Sequence, residues 1–320
     1  MHKTSGRVFG ATLKTFMESV KIKLPDYKVI AAKTKRRAVF VEEKDMEDAM
    51  SWLKKSRAKF SLKNGPAQKG DFVEIEYEYS GHNQKIQDGF ILGESGLPGG
   101  FDEKLIGTQG GETKEFELAS PDGQKTSFKV SVKSVQSVEL AELNDEFAKG
   151  LGKFEDFAGL QKSIKEGLMA EKEMAETQRI RQEIVENICK ESEVDIPPEL
   201  VELEKKQILE GLKNKIKDDL KITLEEYLSR AKQTEEELMV AFLPQIESRL
   251  KSGLILKAVA EKEKIESTED EIEKAITDML KRYENPEQAR KDLDPQQLKD
   301  YAKEMLKQEK TLALLESFVC

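Results

Sequence analysis

The apolar residues of this chain follow two different periods, and the change between them divides the sequence. From residue 71 to 79 (DFVEIEYEY) apolar residues alternate with glutamates, which predicts a half-buried strand. Turn residues separate this segment from further short apolar runs, so residues 65–136 are predicted to form a small antiparallel sheet domain. Its other predicted elements are strands at 89–92, 112–118 and 126–135, turns at Gly81–Asp88 and Ser120–Gln124, a glycine-rich loop at Gly93–Gly100 and a short helix at Phe101–Ile106.

Outside that domain the apolar residues recur at helical spacing. One helix is predicted at 42–60, the longest at about 157–191, and the most apolar at 238–265, where Pro244 is expected to kink the helix or to mark its start. The pair Pro197–Pro198 ends one segment and begins the next helix. Residues 137–320 are therefore predicted to be helical. Candidate N-caps are Thr223 with Glu226, Thr234 with Glu237, Ser267 with Asp270, and Asp294 before Pro295.

The composition suits a soluble protein. Of 320 residues, 36% are charged and 38% are hydrophobic, and the mean hydropathy is −0.61. No apolar run approaches the ~18 residues that a membrane-spanning helix needs, and the N-terminal stretch lacks the apolar core of a secretory signal. The length suggests two domains or three, and we expect no membrane contact.

Histidine and cysteine are too scarce for much conventional enzymology. With two of each, the chain is not expected to contain a disulfide framework, a cysteine-rich zinc site or a histidine-based triad. It carries neither a P-loop nor a G-x-G-x-x-G motif. We therefore expect no metal and no cofactor, and a reducing cytoplasm is the simplest location.

The predicted sheet domain resembles an FKBP-type prolyl isomerase. The matching segments are VEIEYEYSG, DGFILGESGLPGGFDEKLIG, GETKEFEL and FKVSVKSV. The resemblance implies a pocket that excludes water and needs no nucleophile. It places the pocket residues at Tyr77, Phe90, Leu97 with Pro98, Phe101 and Phe128, with Asp88 as the nearby acidic residue.

This segment departs from that family in one important respect. The family's long flap carries a tyrosine, whereas here the flap is reduced to Ser120–Gln124 and no tyrosine lies between residues 80 and 136. The aromatic residues are also what the core of a small sheet domain requires, so a packing role remains the alternative.

The whole chain, from about residue 22 to 318, resembles trigger factor, the bacterial ribosome-associated chaperone. The resemblance is carried, in order, by KLPDYK, WLKKSRAKF, VELAELNDEFAKGLG and DIPPELVELEKKQI. It implies an α+β protein in which the FKBP-like domain is inserted into a large, elongated helical chaperone domain with arms. Residues 21–64 and 137–320 would form the chaperone body, and residues 1–20 an extension that is too short for the family's ribosome-binding domain and lacks its G-F-R-x-G-K loop.

The resemblance also implies a function, namely holding unfolded or nascent chains without ATP. Apolar residues left uncovered on the arms would bind the client, although ordinary helix packing is the alternative for each. The candidates are Leu238, Met239, Phe242, Leu243, Leu312, Leu315 and Phe318. The other two readings are an active prolyl isomerase whose helical body recruits substrates, and a scaffold with no chaperone activity.

A basic cluster lies near the start of the chain. The first 37 residues hold ten lysines and arginines against two acidic residues, whereas residues 137–320 hold 30 against 43. The cluster consists of Lys33, Lys35, Arg36 and Arg37. It could contact phosphate or a ribosomal surface, or it could be a flexible or exposed basic strand; no specific nucleic-acid partner is expected.

Overall fold

The computed structural model describes residues 20–80, 82–119 and 125–319, and the backbone alone at 82–84. The predicted extension up to residue 19, the shortened flap Ser120–Gln124, Cys320 and the side chain of His82 lie outside the described residues. The chain divides into two compact units. Residues 40–172 form a sheet unit, and the described residues up to 39 and from 173 onward form a helical unit.

The sheet unit contains one antiparallel sheet in which a single long strand pairs with three others. On one edge, strand β6 pairs with β3. On its opposite edge, it pairs first with β5 and then with β2. Strand β4 pairs with the other edge of β3. The strands are β2 Lys59–Leu62, β3 Phe72–Tyr79, β4 His82–Ile91, β5 Thr113–Ala119 and β6 Lys125–Glu139; the helices of this unit are α2 Glu43–Ser56, α3 Phe101–Leu105 and α4 Asp145–Leu151.

The predicted alternation in β3 positions the core of the sheet unit. Val73, Ile75 and Tyr77 are buried on one face, while the glutamates between them lie on the other. Helix α3 packs on the buried face through Phe101 and Leu105, which are both 0% exposed. The inward residues of β3 and α3 together exclude water from this face. Strand β4 and helix α3, which flank the Gly93–Gly100 loop, are therefore anchored to the sheet core.

Two local predictions are wrong at the edges of the sheet. The predicted helix 42–60 ends at Ser56, because Lys59–Leu62 pairs with Gln136–Glu139 as a strand. The predicted turn Gly81–Asp88 is largely strand, because Ile86, Gln87 and Asp88 pair in register with β3. The sheet therefore extends beyond the predicted limits 65–136 at both ends.

The helical unit is built around its longest helices. Helix α5 begins in the sheet unit and ends in the helical unit, and a two-residue ladder joins β1 to β7. The elements of this unit are β1 Ile22–Lys23, α1 Tyr27–Lys33, α5 Phe157–Glu191, β7 Glu193–Val194, α6 Pro198–Leu220, α7 Leu224–Ala231, α8 Glu235–Lys262, α9 Glu269–Leu280, α10 Pro286–Asp292 and α11 Pro295–Glu316. No helix among the residues described is both long and apolar enough to cross a membrane.

Helix starts in this unit follow the predicted caps with one correction. Thr223 and Thr234 each form a capping box with the glutamate three residues later, and Asp294 caps α11 ahead of Pro295. The cap of α9 is Thr268 with Glu271 rather than Ser267 with Asp270, because the threonine hydroxyl accepts the N–H of Glu271. Pro244 lies inside α8, which begins at Glu235.

Helix α1 is held against the C-terminal half of α8. Tyr27 is buried with Ile180, Ile184 and Ile255, and its hydroxyl donates to Glu263 at 2.6 Å. Burial and this acceptor raise the pKa of Tyr27 to about 12. A second core joins α9 to α11, and a third joins α6, α7 and the start of α8.

Candidate functional site

A groove opens between α6 and the N-terminal half of α8. Its volume is about 340 Å³, and its floor is apolar. Val240 is 70% exposed, while Leu209, Met239 and Leu243 are half-buried. The complete lining is Glu202, Lys205, Lys206, Leu209, Glu235, Glu236, Met239, Val240 and Leu243. Apolar residues thus remain accessible to a partner within this groove.

Charged residues surround the apolar floor. Lys205 pairs with Glu202 at 2.7 Å, and Lys213 approaches Glu235 at 3.8 Å. The same two helices are joined by a further ion pair, in which the buried Glu204 of α6 lies 3.2 Å from Arg249 of α8. The exposed charges that line the groove keep its rim hydrated, which favours solubility of the protein when the groove is empty.

The capping box at Thr234 positions the groove side of α8. Thr234 Oγ1 accepts the N–H of Glu237 at 3.1 Å, and Glu237 accepts the N–H of Thr234 at 2.9 Å. The helix therefore begins at Glu235, one turn ahead of the apolar floor. Met239 and Leu243 are four residues apart and fall on one face of that helix.

The predicted client-binding residues divide between this groove and the cores. Met239 and Leu243 line the groove, whereas Leu238 packs on the cluster of α6 and α7, and Phe242 is half-buried in α8. The three residues predicted on α11 or just after it belong to the core around Tyr27. Leu315 is 1% exposed, and Leu312 and Phe318 pack against the same core, where Lys28 lies over the ring of Phe318.

Sequence reasoning missed two floor residues, Leu209 and Val240. Leu209 comes from a helix 30 residues before Met239, and no local pattern shows that α6 faces α8. Val240 directly follows Met239 in α8 and is the more exposed of the two. The spacing of Leu209, Leu212 and Ile216 would have indicated an apolar stripe on α6.

The sheet unit brings the predicted isomerase residues together around Phe101. The ring of Phe101 lies 5.3 Å from Phe128, 5.9 Å from Tyr77 and 6.3 Å from Phe90, between ring centroids, and all four side chains are buried. Leu97 packs half-buried against this cluster. These edge-on contacts make a buried aromatic cluster next to the glycine-rich loop.

Two aromatic neighbours were missing from the sequence prediction. Phe116 of β5 lies 5.4 Å from Phe101, and Tyr79 lies 5.9 Å from Phe128. Their alternation with charged residues was the available signal, since Phe116 follows Glu115 and precedes Glu117. Burial, followed by the nearby charge of Asp88, raises the pKa of the Tyr77 hydroxyl.

The basic cluster is exposed, and its backbone is tied to α5. Glu176 accepts the backbone N–H of Arg37 at 2.7 Å, and Arg179 donates to the carbonyl of Lys35 at 2.9 Å. Arg36 pairs with Glu316 at 2.5 Å. Within the described residues, the side chains of Lys33, Lys35 and Arg37 form no ion pair, so three of the four predicted contact residues keep their charge available.

Comparison with known families gives one match across the helical part of the chain. The family model for the C-terminus of the bacterial trigger factor protein matches residues 156–316. That segment contains α6 and α8 and hence every residue of the groove.

Individual relatives extend the match toward the sheet unit. The trigger factor of Carboxydothermus hydrogenoformans is 30% identical over 294 residues, covering 87% of this chain and 69% of that protein. The trigger factor of Caldicellulosiruptor saccharolyticus is 29% identical over 257 residues, covering 76% of this chain and 58% of that protein. This chain therefore spans only about three fifths to two thirds of the length of these relatives. A solved structure, from a study of promiscuous substrate recognition in folding and assembly activities of the trigger factor chaperone, covers 93% of this chain and 73% of its own, with 21% identity and a TM-score of 0.48.

Proposed function

Because the chain belongs to the trigger factor family of ATP-independent chaperones, we propose that it holds non-native polypeptides in the groove between α6 and α8. The clients are unfolded or nascent chains, which expose apolar side chains that a folded protein would bury. The observation that supports this assignment most directly is the apolar floor within a charged rim, where Val240 is exposed and Met239 and Leu243 are half-buried.

The small size of the groove suits binding and release without ATP hydrolysis. Each 100 Å² of apolar surface that a client covers contributes about 2.5 kcal/mol, and ordering the client opposes much of this. A groove of this size therefore holds a segment weakly and releases it by dissociation. Folding of the released segment removes the apolar surface and prevents rebinding.

A charge placed on the groove floor tests this proposal. Val240→Asp should at least halve the suppression of aggregation of a chemically denatured client, because a carboxylate there must be desolvated when the client binds. Gln245→Asp, which adds the same charge to an exposed position of the same helix, should retain suppression. If both variants protect the client equally well, the groove is not the binding site; a wild-type chain that gives no protection would favour the scaffold.

We further propose that the sheet unit isomerises prolyl bonds. Rotation about such a bond loses amide resonance, and its twisted transition state is less polar than the planar amide. A dry aromatic surface favours that state without any acid, base or metal. The cluster of Tyr77, Phe90, Phe101 and Phe128 beside Leu97 supports this second activity, with the helical body as the part that recruits substrates.

The aromatic ring at position 128 provides the test of this second activity. Phe128→Leu keeps most of the buried volume and removes the ring, so kcat/KM for a prolyl peptide should fall about tenfold while the sheet remains folded. Val130→Ala, which alters the same core two residues away on β6, should leave kcat/KM within twofold. Wild-type protein with no rate above background would remove the isomerase proposal.

We also propose a cytoplasmic location and a contact between the basic cluster and phosphate on the ribosome. The free thiol of Cys189 suits a reducing compartment. The ribosome contact is supported by Lys33 and Lys35, which are exposed and would each displace a counterion from RNA. Co-sedimentation with ribosomes should then decline between low and high salt. Replacing both lysines with glutamine should weaken it, whereas the same change at Lys162 and Lys165 should not.

A further inference from the structure

The glycine-rich loop Gly93–Gly100 is fastened to α3 by one carboxylate. Asp102 Oδ2 accepts the backbone N–H of Gly93 at 2.6 Å and that of Ser95 at 3.2 Å. Its other oxygen accepts the hydroxyl of Ser95, and Ser95 Oγ accepts the backbone N–H of Leu97 at 3.1 Å. A single side chain therefore fixes the loop, directly or through Ser95, at three points.

The loop needs these hydrogen bonds because its glycine-rich backbone can adopt many conformations. Gly93, Gly96 and Gly100 have φ values of +102°, +69° and +91°, which glycine adopts readily and other residues rarely do. Ordering a backbone of this kind costs about 1–2 kcal/mol per residue. Hydrogen bonds to a carboxylate are among the stronger ones that can offset that cost.

In the sequence, Asp102 directly follows Phe101, whose ring is at the centre of the aromatic cluster. Phe101 and Asp102 are consecutive residues in the first turn of α3, so the turn that positions the ring also positions the loop. Leu97 packs on the cluster from the loop side. The relative placement of Leu97 and Phe101 thus depends on Asp102.

We propose that Asp102 is a positioning residue for prolyl peptides, holding Leu97 of the loop against the aromatic cluster through Ser95. The inference rests on the proposed isomerase pocket, because it assumes that the peptide binds beside Leu97, next to the aromatic cluster. Asp102 does not itself touch the peptide. Loss of its carboxylate should weaken binding of the peptide to the loop. The aromatic cluster, and hence the rate in the bound state, should stay intact.

The test uses the full chain and a fluorescently labelled peptide that contains Leu-Pro. Asp102→Ala should raise the Kd and the KM about tenfold while kcat stays within twofold. Asp102→Asn retains one acceptor oxygen and should recover part of the affinity. Ser95→Ala leaves both backbone N–H bonds to Asp102 and should raise the Kd about threefold. Glu103→Ala removes a charge from the next, exposed position and should bind as the wild type does.

The outcomes separate this inference from the isomerase proposal. If the wild type binds the peptide without turning it over, the isomerase proposal fails and the Kd values still decide the role of Asp102. A Kd unchanged in Asp102→Ala, or raised equally in Glu103→Ala, overturns the inference, as does a wild type that neither binds nor turns over the peptide. If Asp102→Ala fails to fold, as judged by circular dichroism, an unchanged Kd in Ser95→Ala overturns it.

Discussion

At the scale of single residues, Glu176 ties the basic cluster to α5. Its side chain is 8% exposed and accepts the N–H of Arg37 and two hydrogen bonds from Arg179. Arg179 first, and then the backbone N–H of Arg37, lower the pKa of Glu176 to about 2. The sequence showed an exposed basic segment, but its attachment through a buried carboxylate 139 residues away could not be read from any local pattern.

Glu176→Gln should destabilise the helical unit by about 2 kcal/mol at pH 7. The hydrogen bonds that Arg37 and Arg179 donate to the carboxylate would be replaced by weaker ones to a neutral amide. The folded pKa lies below the ordinary value of 4.5, so the wild type has this stabilisation in full above pH 4.5 and loses it as the pH falls toward 2. Denaturant unfolding from pH 7 to pH 3 measures the difference, which should shrink on acidification.

The control for this prediction is Glu173→Gln, an exposed position one turn earlier on α5. It changes the same charge without the buried hydrogen bonds and should leave the stability within about 0.5 kcal/mol of the wild type. A constant difference between Glu176→Gln and the wild type across this pH range would contradict the assignment.

At the scale of elements, the pattern of apolar residues predicted those helices and strands that bury one face. Alternation in β3 and helical spacing in α5 and α8 are imposed by a core on one face, so the sequence carries them directly. Strand β2 and the first part of β4 were not predicted, because both lie at the margins of the sheet. Their described residues are largely exposed there, and only the partner strand defines them. The aromatic cluster was largely predicted because its residues are also core residues, whereas the groove depends on which helices meet.

Thr234→Ala should cost about 1 kcal/mol through loss of the cap of α8. The loss is local, so hydrogen exchange of the first turn of α8, beside the groove, should accelerate, and client binding should weaken with it. Thr234→Ser keeps the hydroxyl and should retain both properties. Equal exchange in the alanine and serine variants would show that the capping box does not order this end of the helix.

At the scale of the whole molecule, the sequence was sufficient for the class and the family. The α+β class and the trigger factor family were predicted from four short segments in a fixed order, and the family match over residues 156–316 confirms the family. The division of the chain could not be predicted to the residue, because the sheet recruits a strand at Lys59–Leu62 that resembles the end of a helix. The two units have separate hydrophobic cores.

Because the cores share no residue, the two units should unfold in separate steps. Val130→Ala should lower only the transition of the sheet unit, and Ile184→Ala only that of the helical unit, each by about 1–4 kcal/mol. Hydrogen exchange measured by mass spectrometry at increasing denaturant resolves the two. One transition, shifted alike by both substitutions, would show that the units fold as one.

Strand β6 carries a consequence for how this chain is made. It pairs with β2, β3 and β5, and it lies after all three in the sequence. Among the strand pairings of the described residues, the β3–β4 hairpin alone can form early during synthesis. The other pairings of the sheet must wait until residues 125–139 have left the ribosome. For most of the translation of the sheet unit, strands β2, β3 and β5 therefore lack the partner strand on which their pairing depends.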